Sequence, residues 1–136
     1  MDDDIMIDLA LFIVRITLGA IFLAHGLQKW FGLFNGPGIE GTTGMLSGLG
    51  FIYPAVWAWI LALTETIGGL FLVAGIMPRL LAALIAVVVA VAIAKVHWSK
   101  GFFMSKGGFE YQLLLLAVCL LIILTGGGKH SLYNRL

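Results

Sequence analysis

Charged residues are scarce in this sequence. Only 11% of the 136 residues are Asp, Glu, Lys or Arg, whereas an ordinary soluble domain carries roughly 25%. Apolar residues make up 61% of the chain, and the mean hydropathy is +1.08. A chain of this length is expected to form one domain, residues 1–136, but it has too few charges for a water-exposed surface. The sequence therefore predicts an integral membrane protein whose apolar surface contacts the lipid bilayer.

Cysteine and recognisable cofactor motifs are also nearly absent. Cys119 is the only cysteine, which excludes an intramolecular disulfide, a Cys-x-x-Cys redox pair and a cysteine-based zinc site. No phosphate-binding loop, nucleophile elbow or zincin motif is present. The histidines lack a haem or metal signature, so no metal site is predicted. No basic cluster alternates with aromatic residues, so nucleic acid is not an expected partner. No residue can be assigned as catalytic.

Long apolar runs are what the sequence does contain. A helix needs about 20 mostly apolar residues to span a bilayer. Four such runs occur, at about residues 7–30, 53–77, 79–98 and 109–125. We expect the first run to be retained, because the acidic start of the chain is unlike the basic start of a secretory signal. The pattern predicts an all-α integral membrane fold, a four-transmembrane-helix bundle in an antiparallel up-down arrangement.

The connections between the runs define two faces of this bundle. Met77-Pro78-Arg79 predicts a tight turn, because proline ends one helix and the next apolar run follows at once. The longer links, residues 31–52 and 99–108, then lie on one membrane face, here called the loop face, and both termini lie on the other. Alanines at four-residue spacing, from Ala82 to Ala94, favour an inner packing face on the third helix.

Two ionisable residues interrupt the apolar runs. Arg15 lies in the first run and Glu65 in the second. An ionisable side chain at the bilayer centre costs about 2.5 to 3.5 kcal/mol on insertion scales, so each needs a partner, a water-filled cavity or a function. From the helical rise we expect the two residues to be roughly 8 Å apart along the bundle axis. We predict a structural ion pair between them, and Glu65 could in addition bind a head group or a proton.

A second group of polar residues gathers near the loop face. Its members are His25, Lys29, Lys95, His97 and Glu110. Lys29 and Lys95 are interpreted as interface residues whose ammonium groups extend toward water. The other three, with Glu65 deeper in the bundle, are predicted to line one polar cavity. This cavity would accept a small redox-active or acidic ligand or relay protons.

In their order along the chain, these residues resemble the DoxX family of small membrane proteins. The likeness extends over nearly the whole sequence. It is carried by RITLGAIFLAHGLQK (residues 15–29), the glycine-rich link 36–50, ETIGGLFLVAG (65–75), Arg79, residues 96–97, GFEY (108–111) and LTGGGKHSL (124–132). Each segment alone is a weak signal, but their order and spacing together are specific.

The resemblance implies a four-helix membrane bundle related to the DoxD-type subunit associated with thiosulfate and quinone oxidoreduction in archaea. It singles out Arg15, His25, Lys29, Glu65, His97 and Glu110. It suggests a quinone as a non-covalent cofactor, and other subunits of a membrane complex or further copies of the chain as partners. The implied location is the cell inner (plasma) membrane, as a multi-pass protein with both termini on the cytoplasmic side.

Two classes of function remain open at this point. In the first, the chain is a membrane subunit of a quinone- or sulfur-linked oxidoreductase and holds a small ligand while partner subunits carry electrons. In the second, it is a non-enzymatic component, either a small-molecule or ion pathway or a scaffold in a larger assembly. Intramembrane charges are typical of both classes.

Overall fold

A computed structural model describes residues 2–136 and shows an all-helical protein. These residues form five α-helices, α1 (Asp3–Phe31), α2 (Gly38–Gly48), α3 (Pro54–Ala74), α4 (Pro78–Ala92) and α5 (Glu110–Thr125). A π-helical turn, Ile93–His97, and a 3-10 turn, Trp98–Lys100, extend α4. The helical stretches Asp3–Phe31, Pro54–Ala74 and Pro78–Lys100 are long and apolar enough to cross a membrane. The chain is thus a membrane protein with several apolar helices.

The ends of the long helices follow local signals. Asp3 and Asp4 lie in the first turn of α1, where carboxylates interact favourably with the helix dipole, and α1 begins four residues before the predicted position 7. Helix α3 ends at Ala74, three residues before the predicted position 77, and Gly75 at φ 75° caps it. Pro78 then begins α4 directly, where its missing N–H is not needed. The predicted tight connection at residues 77–79 is confirmed.

The short helix α2 lies in the link 31–52, where no helix was predicted. Four of its eleven residues are glycine, and glycine disfavours helix by about 1 kcal/mol per residue. Packing against α1 and α3 overrides this preference, because Thr42 and Leu46 are buried. The Thr42 hydroxyl donates to the Gly38 carbonyl at 2.8 Å. Tertiary contacts, rather than local propensity, therefore make this segment helical.

Glycines set the distance and the register between α1 and α3. A Cβ at Gly69 would collide with the backbone of Leu23 and Gly19, and a Cβ at Gly26 would collide with Thr66. A later residue of α1, Gly26, thus contacts an earlier residue of α3, Thr66, so the two helices are antiparallel. Their backbones are in contact at these positions. Such close approach through small residues is typical of helix pairs in membranes.

The inner face of α4 differs from the predicted alanine stripe. Ala82 is buried, but Ala90 and Ala94 are exposed. The buried positions of α4 are instead Pro78, Leu81, Ala82, Ile85 and Val89. Larger side chains on this face pack with Leu18 and Phe22 of α1, Leu72 of α3 and Leu115, Cys119 and Ile122 of α5. The core of the protein lies where these four helices meet.

The outward surfaces of the long helices are apolar. Val87 of α4 is 62% exposed, and Leu114 and Leu124 of α5 are 63% and 79% exposed. Side chains of this kind are unfavourable in water over so large an area, and they are typical of a lipid-facing surface.

Candidate functional site

A buried ion pair joins α1 to α3. Lys29 Nζ lies 2.7 Å from Glu65 Oε2, and the side chains are 17% and 5% exposed. Glu65 lies eleven residues into α3, about 16 Å from its start. The sequence interpretation placed Lys29 at the interface as an isolated cation. In the structure its ammonium group instead pairs with Glu65, the one carboxylate of α3.

The predicted ion pair between Arg15 and Glu65 is not formed, and this expectation was wrong. Gly26, next to Thr66, marks the level of Glu65 on α1, which is eleven residues or about 16 Å from Arg15. The hydropathy pattern places each helix in the bilayer but does not fix the register between two helices. That register depends on the glycine contacts, which place Lys29 and not Arg15 beside Glu65.

Arg15 binds the C-terminal segment instead. Its guanidinium donates to the Gly127 carbonyl at 2.8 Å, the Ser131 hydroxyl at 2.6 Å, the His130 carbonyl at 3.1 Å and the Val73 carbonyl at 3.4 Å. Its side chain is fully enclosed, with the residue only 1% exposed. The partners of this cation are therefore mainly backbone carbonyls, and the glycine run that supplies one of them was its only sequence signal.

Residues 126–136, here called the C-terminal segment, fold back onto the α3–α4 turn. Met77 N donates to the Tyr133 carbonyl at 2.8 Å, and Tyr133 N donates to the Gly75 carbonyl at 2.9 Å. Lys129 adds a contact with Asp8 near the start of α1. This end of the molecule is thus a closed, hydrogen-bonded cap.

A groove of about 600 Å³ lies between α3 and α4 at the opposite end. The two helices are in contact near their connecting turn, where a Cβ at Gly68 would lie 3.4 Å from the Leu81 side chain, and the groove lies on the loop-face side of this contact. Helix α2 and the residues after it add a further wall. The apolar lining is Met45, Leu46, Leu49, Phe51, Trp57, Ile60, Leu61, Leu84, Val87, Val88, Val91, Ala92 and Val96. We call this space the α3–α4 groove.

The polar groups of the groove are few and clustered. They are Lys29, Thr64, Glu65, Lys95 and His97. The His97 ring lies at the loop-face end, where its Nδ1 is 2.8 Å from the Gly107 carbonyl. Lys95 is exposed, and its Nζ lies 5.9 Å from the centre of the Phe51 ring. The Lys29–Glu65 pair is deeper, so the groove has a polar inner wall, a basic mouth and apolar sides.

His25 and Glu110 do not reach this groove. His25 lines a separate cavity of about 250 Å³ with Ile21, Ala24, Gln28, Phe34 and Tyr111. The Glu110 carboxylate accepts a hydrogen bond of 2.9 Å from Met104 N and stabilises the turn that precedes α5. Of the four side chains predicted to share one cavity, the structure brings together Glu65 and His97. The other two are separated because His25 lies on the side of α1 that faces α5.

Within residues 2–136 no three His, Cys, Asp or Glu side chains are grouped so that they could hold a metal ion. The residues that sequence reasoning missed are Thr64 and the apolar wall from α2 and Phe51. Aligning the glycines of α1 with those of α3 would have identified Lys29 as the partner of Glu65. Nothing in the sequence pattern indicated α2.

Comparison with known proteins gives a consistent family assignment. A family model described as DoxX matches residues 10–98. A Bacillus subtilis (strain 168) protein named "Putative oxidoreductase CatD" is 33% identical over 106 residues, which cover 78% of this chain and 72% of that protein. A Haemophilus influenzae protein named "Uncharacterized protein" is 28% identical over 124 residues, 90% of this chain and 80% of that protein. No solved structure matches the chain.

Proposed function

The chain belongs to the DoxX family, and from that premise we propose that it is a membrane subunit of a redox-linked system that binds a quinone-class molecule in the α3–α4 groove. The observation that carries this proposal is the buried Lys29–Glu65 pair in the wall of an otherwise apolar groove. The name of the Bacillus subtilis relative, which describes an oxidoreductase, supports the redox part of the proposal.

The ion pair has little reason to be there for stability alone. A buried pair loses about as much in desolvation as it gains in attraction, and apolar residues of similar size often replace it without loss. Ionisable residues within membrane-spanning segments typically mark ligand or proton pathways. A pair that borders an open groove is placed to contact a ligand.

The groove suits a planar ring with an apolar chain. Its volume of about 600 Å³ lies within the range of roughly 300 to 1,000 Å³ found for small-molecule sites. In the proposed complex the Lys29 ammonium donates a hydrogen bond to a ring carbonyl. Reduction of a quinone to a quinol takes up two electrons and two protons. A partner subunit supplies the electrons, and Glu65 and His97 are positioned to exchange protons with the ring oxygens.

The proposal includes a four-span topology in the plasma membrane, with both termini on the cytoplasmic side. Helix α5 has 16 residues, a length of about 24 Å against a bilayer core of about 30 Å, so the bilayer thins locally around it. Single cysteines at Glu40 and Phe103, in a Cys119→Ala background, should react with an impermeant thiol reagent from the same side. Labelling from opposite sides contradicts four spans.

Ligand binding can be followed through Trp57, which lines the groove. A short-chain ubiquinone analogue added to the protein in nanodiscs should quench tryptophan fluorescence saturably. Lys29→Met should weaken binding at least tenfold, because the ring carbonyl loses its hydrogen-bond donor. Lys129→Met is the matched control, since it breaks the exposed ion pair with Asp8 outside the groove.

The two loop-face histidines provide a second comparison. His97→Ala should weaken quenching, whereas His25→Ala should not, because only His97 lines the groove. Equal loss in both variants, or unchanged binding in all groove variants, contradicts the proposed site. Unaided solute flux into liposomes, together with no quinone binding, would favour the alternative of a small-molecule or ion pathway.

A further inference from the structure

The α3–α4 groove opens sideways through apolar side chains. Trp57 and Ile60 on α3 are 46% and 47% exposed, and Leu84 and Val87 on α4 are 45% and 62% exposed. All four line the groove. In a bilayer these side chains face hydrocarbon, so a ligand would reach the groove from the lipid phase rather than from water. Such a ligand carries an apolar tail along the helices.

The loop-face end of the groove has an excess of positive charge. Lys29 and Lys95 are balanced by one carboxylate, Glu65. Within residues 2–136 no carboxylate oxygen lies within 4.0 Å of Lys95 Nζ, since the salt bridges there are Lys29–Glu65 and Lys129–Asp8. The nearest partner described for the Lys95 ammonium is the face of the Phe51 ring. This contact holds the cation at the mouth without neutralising it.

The π-helical turn Ile93–His97 gives the groove three consecutive lining residues. In a regular α-helix each residue turns by about 100°, so three in a row spread over about 200° of the helix surface. Lys95, Val96 and His97 nevertheless line it together. A π-turn is wider and turns less per residue, and such turns are frequent at functional sites. The local backbone therefore adds Lys95 and His97 to the same mouth.

We propose that the groove selects acidic amphiphiles from the bilayer, with the acid group bound by Lys95 and the apolar part held between α3 and α4. This inference rests on the proposed function, because it assigns the class of ligand that the same groove prefers. The acid is a carboxylate on a quinone-class molecule, whose negative charge and hydrocarbon tail the groove complements.

A matched pair of probes tests the role of Lys95. A naphthoquinone with a side chain ending in a carboxylate is compared with its methyl ester by tryptophan quenching in phosphatidylcholine nanodiscs. Wild-type protein should bind the acid about fivefold more tightly than the ester, the size expected of one partly solvated ion pair. Lys95→Gln should abolish that preference, and Lys95→Arg should retain it.

Lys100→Gln is the control, since Lys100 is an exposed lysine near the same face that does not line the groove. Equal binding of acid and ester to the wild type overturns the inference and leaves the proposed function standing. Failure of both probes to bind folded protein overturns the proposed function, and the inference with it. Addition of phosphatidylglycerol to the nanodiscs tests whether a lipid phosphate occupies the acid-binding position. Competition with the acid overturns the assignment to a quinone-class acid in favour of lipid phosphate, and no competition supports it.

Discussion

Replacing Arg15 with methionine should release the C-terminal segment from the helices. The guanidinium is buried and makes four hydrogen bonds, three of them of 3.1 Å or less to Gly127, His130 and Ser131. Methionine fills part of the space but cannot donate. The two carbonyls and the hydroxyl then lose their donor, while Met77 and Gly75 still hold the end of the segment through the backbone.

The size of the effect follows from these contacts. A hydrogen bond to a charged group contributes about 1.5 to 3 kcal/mol net. Removing the guanidinium also removes its desolvation cost, which offsets part of this loss. Each buried acceptor left without a donor costs about 1 to 3 kcal/mol, so a net loss of the order of 3 to 5 kcal/mol is expected for the three shorter bonds. For a chain of this size that corresponds to a fall of the order of 10 to 20 °C in the midpoint of thermal unfolding.

Thermal unfolding in mild detergent, followed by intrinsic fluorescence, measures the midpoint, and limited trypsin digestion reports on the segment. Cleavage after Lys129 should become faster in Arg15→Met, because proteolysis requires local opening of the backbone. Lys100→Met is the control, since Lys100 is an exposed cation on the loop face, away from the C-terminal segment. An unchanged midpoint together with unchanged cleavage would refute the role given to Arg15.

The stability losses of Arg15→Met and Glu65→Gln should be additive, because about 16 Å of helix separates the two residues.

Two further predictions concern the packing of α1 on α3. Lys29→Met and Glu65→Gln should each lower the unfolding midpoint, and the double variant should lose less stability than the sum of the two single losses. We expect a coupling of about 1 to 3 kcal/mol in this double-mutant cycle. Simple additivity would argue against the pair. Gly69→Val should destabilise the protein by at least about 2 kcal/mol, because its side chain would meet the backbone of α1. Gly44→Ala, where nothing lies within 4 Å of the new Cβ, should not destabilise the protein in the same unfolding assay and should stabilise α2 by up to about 1 kcal/mol.

The helices could be predicted from the sequence more fully than their contacts. Apolar runs, glycine stops and Pro78 locate α1, α3, α4 and α5 to within a few residues, because these signals act locally. Helix α2 was missed because its glycines disfavour a helix that only tertiary packing stabilises. The turn at residues 77–79 was predicted because proline restricts the backbone whatever surrounds it.

The candidate site was predicted in part for the same reason. Glu65 could be identified because a carboxylate within an apolar run is costly wherever it lies. Its partner could not, since the choice between Arg15 and Lys29 depends on how far one helix slides along another. Glycine contacts decide that offset, and hydropathy averages over them. The separation of His25 from His97 likewise depends on helix rotation and on the π-turn after α4.

The two cations of α1 illustrate how one helix serves both ends of the molecule. Arg15 and Lys29 are fourteen residues apart, close to four turns, so both point toward α3 at levels about 21 Å apart. Arg15 is held by backbone carbonyls and a hydroxyl, groups that do not titrate near neutral pH, at the closed end beneath the C-terminal segment. Lys29 is held by Glu65, a group that can gain or lose a proton, and the pair borders an open groove. Of these two positions, only the loop-face end has a titratable group that could exchange protons with a ligand, and this is why the proposed ligand site includes Lys29 and not Arg15.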